Sequence, residues 1–244
     1  MATTAIHGRN TKVFVNEFDF SRALKTFNAG RVSEELDCTT FGADAKEFLT
    51  TGVDDGTLSL EGYHESDPVD LDKLTDEFQD VMENQTVSTI TVCPEGASAI
   101  GKRALLQRAV ETRTQIESPA QQLVMAMADF RGDIAHGVVV AAHSAFTADG
   151  NGSSHDGSAS SANGGVGHLH VTAVSGTSPT GVFKIQHSAD NSTFVDLITF
   201  TAATAVTSQR VEVTGTVERY LRVVRASFGG TSPSLTAAVA FARF

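Results

Sequence analysis

The sequence predicts a mainly β chain: strands covered by one amphipathic α-helix, followed by a smaller antiparallel β-sandwich at the C-terminal end. Three observations carry this. Most apolar runs are of strand length and are alternating or β-branched. A single stretch, residues 67–83, has helical period. After residue 166, strand-sized runs recur at near-regular spacing with turn residues between them.

Thr11–Phe20 places Val13 and Val15, then Phe18 and Phe20, at alternate positions, with a tight turn or bulge at Asn16-Glu17. Thr57–Gly62 alternates Leu58 and Leu60 with Ser59 and Glu61, as a half-buried strand does. Just before it, Asp54-Asp55-Gly56 lacks the oxygen ligands that would complete a calcium loop, and reads as a tight turn. Ser66-Asp67-Pro68 opens the helix. Asp67 caps its free amides, Pro68 suits the first position, and Asp70 and Asp72 complement the dipole. Leu71, Leu74, Phe78, Val81 and Met82 share one stripe, fit to cover a sheet. Val87–Cys93 is rich in β-branched residues and ends at Pro94. Leu105–Arg113 and Ala120–Phe130 fit either helix or strand, and their place among strands favours strands. Gly137–Phe146 reads as a buried strand.

The stretch TADGNGSSHDGSASSANGGVG, residues 147–167, contains nothing able to bury a face. It divides the chain into an expected first domain (1–147), a Gly/Ser/Asn-rich linker (148–165) and a C-terminal β-sandwich (166–244). In that last part HLHVTAV, VFKIQHS, FVDLITF, QRVEVTG, RYLRVVRA and LTAAVAFARF are separated by steps such as SGTSPTG, SADNST and SFGGTSPS.

Charge changes at the same place. Residues 1–150 carry 12 basic and 24 acidic side chains, and residues 151–244 carry 6 and 5. Residues 34–83 hold 16 acids against only Lys46 and Lys73. Such a surface repels phosphate and argues against nucleic-acid binding by counterion release. No apolar run approaches the ~20 residues of a membrane span, and MATTAIHGRNTK lacks the apolar stretch of a secretory signal, so a soluble, cytosol-made chain is expected. Cys38 and Cys93 form neither a CxxC motif nor a four-ligand zinc site and are expected as two buried, reduced thiols. Phe is plentiful at 15 and Trp absent, which favours packed cores over an aromatic ligand platform.

No GxSxG elbow, P-loop, HExxH or EF-hand loop is present, so no catalytic residue, metal or cofactor is expected. His168 and His170, two apart, share a strand face. With only His155 as a poor third ligand, they are expected as a surface or interface pair. Asp190 and Asn191 with Phe194 form a weak candidate glycan-binding tip. A type I turn capped by the Asx side chains accounts for the same residues.

The stretch Glu35–Gly62, ELDCTTFGADAKEFLTTGVDDGTLSLEG, resembles the major tail tube proteins of long-tailed, siphovirus-like bacteriophages. Thr39, Thr40, Phe41 and Gly42 match one element of their pattern, and Gly52, Asp54, Gly56 and Leu58–Gly62 the next. The helix, VSTITVCPEG, the Ser118-Pro119 segment and the strand at Gly137–Phe146 follow in the expected order. The C-terminal part, with NGGVGHLHVTAV, QHSADNSTF and RYLRV, looks like a β-sandwich decoration domain appended to many phage structural proteins.

This resemblance implies a β-sandwich or half-barrel tail tube domain with one flanking α-helix, and a function made of geometry. Six subunits join their sheets into a ring, and rings stack into a hollow tube that carries DNA as non-adhering cargo. It implies a virion location after synthesis in the bacterial host cytoplasm. The implied partners are further copies of the chain, the tape measure protein, the tail terminator and baseplate or distal tail proteins. On this view Glu35, Asp37, Asp54, Asp55 and Glu61 are candidates for an acidic lumen, and the acidic helix faces outward. The loop 38–55, with Phe41, Phe48 and Leu49, is the candidate ring-to-ring contact, or else pins itself to its own core. The alternative reading is a tail or capsid adhesin that binds host-surface glycans through its C-terminal domain. An enzyme has no supporting constellation.

Overall fold

The computed structural model describes residues 8–41, 44–64 and 72–244. The expected start of the helix, 67–71, lies outside them, as does Gly42 of the matched motif. In chain order the strands are β1 (Lys12–Val15), β2 (Phe18–Asp19), β3 (Leu24–Asp37) and β4 (Phe48–Tyr63), and then helix α1 (Asp72–Asn84). There follow β5 (Val87–Cys93), β6 (Arg103–Glu117), β7 (Met125–Phe146), β8 (Gly150–Asn151) and β9 (His155–Asp156). Last come β10 (Gly165–Ser188), β11 (Val195–Thr199), β12 (Thr207–Val213) and β13 (Tyr220–Arg243). The fold is mainly β, and its described pairings are antiparallel.

The chain forms two compact units. Unit 1 comprises Met1–Arg22, Thr89–Leu106 and Ala135–Phe244, and unit 2 comprises Ala23–Ser88 and Gln107–Ile134. In unit 1, β10 and β13 pair along their length, from Gly165↔Arg243 to Ser188↔Tyr220. The runs SGTSPTG and SFGGTSPS, expected as chain reversals, face each other within this pair. The register slips there, and Gly176, Ser178, Ser227, Gly230 and Ser232 take positive φ. Both strands therefore bend together and continue. The first half of β10 pairs with β12 and the second with β11, while β13 pairs with β8 and β9 and then with β7. Bent, shared strands are how a sandwich turns its corners. The two layers enclose Leu169, Val171, Phe183, Ile185, Phe200, Leu235, Val239 and Phe241.

This arrangement corrects the expected division at 148–165. Leu235–Ala242 of β13 pairs with Gly137–Phe146 of β7, so the last strand of the expected first domain and that of the expected second share one sheet. The Gly/Ser/Asn stretch is laid along β13 through β8 and β9, and Ser161 bridges to Val217. Its short polar side chains hold it there. Asp149 accepts from the Phe228 amide at 2.7 Å, and Asp156 accepts two Arg219 N–H groups at 2.7 and 2.6 Å. A composition that suits a linker equally suits a covered sheet edge.

Unit 2 is built on the β3–β4 pair, which runs from Leu24↔Gly62 to Asp37↔Phe48. Gly56–Tyr63 of β4 also pairs with Met125–Gly132 of β7. The Asp54-Asp55-Gly56 step is not a turn. β4 runs straight through it, and a Cβ at Gly56 would collide with the Gly132 carbonyl of the neighbouring strand. The helix covers one face: Phe78 and Val81 are buried, as are Leu58, Leu60 and Phe130, and the Phe78 and Phe130 rings meet edge-on at 5.9 Å. Ala120–Phe130 and Gly137–Phe146, expected as separate strands, belong largely to the single strand β7.

Candidate functional site

Beyond Gly56, β4 leaves β7. Among the described residues its outer part pairs with β3 alone, giving a two-stranded ribbon of about 31–37 and 48–55. Its closing segment is tied by local bonds. The Cys38 amide donates to the Glu47 carbonyl at 2.9 Å, and the Glu47 amide to Thr39 Oγ1 at 3.0 Å. Asp37 accepts from the Thr39 amide and hydroxyl, which holds its carboxyl below the usual carboxylate range. Phe48 and Leu49 thus lie in β4, opposite Asp37 and Leu36, rather than in a loop, and only Phe41 is in the connection. Cys38 is half-buried, not buried as expected.

The ribbon exposes its apolar side chains. Val32, Leu36, Phe41, Phe48 and Leu49 each leave more than half their surface in water. A two-stranded ribbon is marginal by itself, and large apolar groups left in water on one element are what a contact surface would use. The three residues singled out from the sequence do not pin the segment to its own core.

The candidate lumen acids are placed as follows. Glu35 and Asp37 are exposed on β3, opposite Thr50 and Phe48. Asp54 lies opposite Ser33 on β4. Asp55 and Glu61 share the β4 face opposite Leu58 and Leu60, and each faces a cation: Asp55 lies 3.7 Å from Arg131, and Glu61 3.4 Å from Lys25. Asp129, in line with Ser59, lies 3.4 Å from Arg113. This face is therefore mixed in sign.

One buried site escaped the sequence reading, and another was seen there but expected at the surface. In unit 2, Glu111 is 8% exposed, and neither of its carboxylate oxygens has a hydrogen-bond partner. Burial, reinforced by the nearby Glu77 and Asp129 charges, pushes its pKa up to about 8. In unit 1, His168 and His170 are 1% exposed, which corrects the expected surface pair. His170 Nδ1 lies 2.6 Å from the Asn16 carbonyl, which can only accept, so Nδ1 carries the proton. Its Nε2 then accepts from Thr91 Oγ1 at 2.8 Å, and the same oxygen lies 3.1 Å from His168 Nδ1. Asn16, at φ 51° in the tight β1–β2 turn, also exchanges bonds with Thr89 of β5. Burial lowers both histidines, His170 to about 4, and raises the Cys93 thiol to about 12. The signal that could have found this site was the hydroxyl residues Ser88, Thr89 and Thr91 inside β5, taken together with the His-x-His of β10. Among the described residues no three His, Cys, Asp or Glu side chains cluster as a metal site needs, and no helix is long and apolar enough to cross a membrane.

At the candidate glycan tip, Asp190 is engaged by its own turn. It accepts from the Ser192 and Thr193 amides and the Ser188 hydroxyl, which lower it to about 2. Asn191 is exposed at φ 58°, and the Arg222 guanidinium stacks 3.9 Å over the Phe194 ring.

No family model matches the chain, and no curated protein matches it. Among solved structures it is similar to a chain of the virion of a native gene transfer agent particle, at 13% identity and TM-score 0.40, covering 54% of this chain and 97% of that one. It is similar to the SPP1 tail tube, at 10% identity and TM-score 0.43, over 54% of this chain and 78% of that one. It is also similar to the SPP1 Dit protein, described as a hub of the adsorption apparatus in phages infecting Gram-positive bacteria, at 13% identity and TM-score 0.39, over 96% and 99%. Likenesses this distant decide neither family nor function.

Proposed function

We propose that the chain is a structural subunit of a bacteriophage tail, self-assembling into stacked hexameric rings whose bore passes DNA. The observation that carries this reading is the β3–β4 ribbon, which among the described residues is a two-stranded element whose Val32, Leu36, Phe41, Phe48 and Leu49 are exposed. Closure against another copy removes both its free edge and its wetted apolar surface. The motif resemblance over Glu35–Gly62 supports the same reading.

In this proposal the helix-free face of β4 and β7 lines the bore, and Phe41, Phe48 and Leu49 join ring to ring. The pairs Asp55–Arg131, Glu61–Lys25 and Asp129–Arg113 leave that face without the cation excess that would hold phosphate. Glu35 and Asp37 add acid toward the ribbon's end, and Asp54 belongs to its base, opposite Ser33. The tape measure protein, the tail terminator and distal tail proteins would meet the tube along its bore and at its ends, in a virion assembled in the host cytoplasm. The C-terminal β10–β13 layers are proposed to lie outside the tube.

Negative-stain electron microscopy of the concentrated full chain tests this. Rings or hollow tubes of six-fold symmetry are expected. A monodisperse monomer that stays monomeric at every concentration and salt overturns self-assembly as the function.

A further inference from the structure

A cavity of about 540 Å³ opens in unit 1, and Arg9, Lys12, Arg22 and Lys102 line it with Glu95 and His143. In a chain with 18 basic and 29 acidic residues, four cations at one concavity run against the composition. The carboxylates there are already shared. Asp19 serves Lys12 at 2.5 Å and lies 3.8 Å from His143, while Glu95 lies 3.8 Å from both Lys102 and Arg103. Arg22 is exposed, and the Lys102 side chain is 43% exposed. Asp19 and Glu95 thus stand against Lys12, Arg22, Lys102 and Arg103, so cations exceed carboxylates at this mouth with Arg9 left out.

The end of the β3–β4 ribbon has the opposite character. Residues 33–49 carry Glu34, Glu35, Asp37, Asp44 and Glu47 against Lys46 alone, and Glu35, Asp37, Asp44 and Glu47 are exposed. We infer that the cationic cavity is the receptor for the acidic ribbon end of a second copy of this chain. The inference rests on the self-assembly proposed above and names its receiving surface. A contact between two different patches repeats head to tail and so propagates, as a tube requires. It also offsets, at the point of contact, the repulsion between chains of net charge −11.

The test uses full-length R22E/K102E and E35K/D44K/E47K, the latter turning the ribbon end net positive, with R22Q/K102Q as a neutral control and circular dichroism to confirm folding. Each reversal makes a chain whose cavity and ribbon end repel, so the concentration at half-assembly, read by sedimentation, should rise at least about tenfold. R22Q/K102Q should lie between, with a weaker salt dependence than the native chain. Mixed one to one, the two reversed chains are again complementary and should assemble as the native chain does. Assembly of R22E/K102E at native concentrations, or no recovery on mixing, overturns the inference while leaving self-assembly intact. A native chain that never associates overturns both. A labelled oligonucleotide that binds the native monomer but not R22E/K102E makes the cavity a phosphate site and overturns the ribbon as its occupant.

Discussion

In unit 1, two histidine rings lie in the core, bonded through Thr91 and the Asn16 carbonyl, and burial holds both rings neutral. In unit 2, the Glu111 carboxyl is nearly as deeply buried and has no hydrogen-bond partner. Both units thus bury an ionisable group in its neutral form, but one does so by burying a base and the other by burying an acid. The lesson is one of sign. Acid must charge the core of unit 1, and alkali must charge the core of unit 2. A partnered group moreover fixes registry among β1, β5 and β10, whereas an unpartnered one only costs stability.

The largest break in this comparison should come from the backbone. A Cβ at Gly132 would collide with the Arg108 carbonyl, so G132V is expected to cost about 3 kcal/mol or more and to do so in unit 2. Hydrogen exchange should show residues 23–88 and 107–134 losing protection while 165–243 keep it. Equal loss in both would mean that the units do not unfold separately.

The opposite pH slopes come next. His170 sits at about 4 when folded, below its ordinary 6.5, so the unfolded chain takes up its proton first as pH falls. The stability of unit 1 is whole above pH 6.5 and is lost between 6.5 and 4, by about 3 kcal/mol from this residue. Glu111 sits at about 8, above its ordinary 4.5, so the folded carboxyl keeps its proton longer as pH rises. Its contribution to unit 2 is whole below 4.5 and lost as pH rises toward and through 8. Hydrogen exchange at pH 4.5, 6.5 and 8.5 should therefore rank the units in opposite orders at the two extremes. In E111Q, which cannot ionise, unit 2 should lose its alkaline slope. An unchanged slope would assign it to another group.

Thr91→Val keeps the shape and removes the hydroxyl that serves both rings, so it should cost about 2 kcal/mol, read as a lower Tm for unit 1. A loss of a few tenths would mean that the bridge is replaceable by water. The smallest effect is expected from Lys25→Met. Its exposed pair with Glu61 should be worth within about 0.5 kcal/mol, yet its loss adds a net negative charge to the proposed bore face.

Much of the mainly β fold was legible from residue order. Val13 and Val15, Leu58 and Leu60, and Val87–Cys93 declare their strands by alternation or branching, and the stripe through Phe78 and Val81 declares the helix. β3 was largely missed, because Lys25–Asp37 has no clean alternation and half of it stays in water. Asp54-Asp55-Gly56 misled because glycine serves turns and close strand crossings alike. Phe41, Phe48 and Leu49 were singled out by their type in a polar setting, and the structure leaves each of them exposed. Glu111 and the cationic cavity were not, since nothing local distinguishes a carboxylate that will be buried from one that will not, or brings Arg22 to Lys102.

The sequence by itself determined the strand-rich class, the single helix and the charge asymmetry, because these depend on neighbours a few positions apart. Only the tertiary structure decided which strands share a sheet. Gly137–Phe146 and Leu235–Phe244 are each apolar on both faces and each needs a partner, but that they satisfy each other across about 100 positions is a choice of ladder hydrogen bonds, invisible to any local pattern. The expected linker lost its role for the same reason. A Ser/Gly/Asn run is free or fixed according to whether an open sheet edge lies within reach of its amides, and here β13 supplies one.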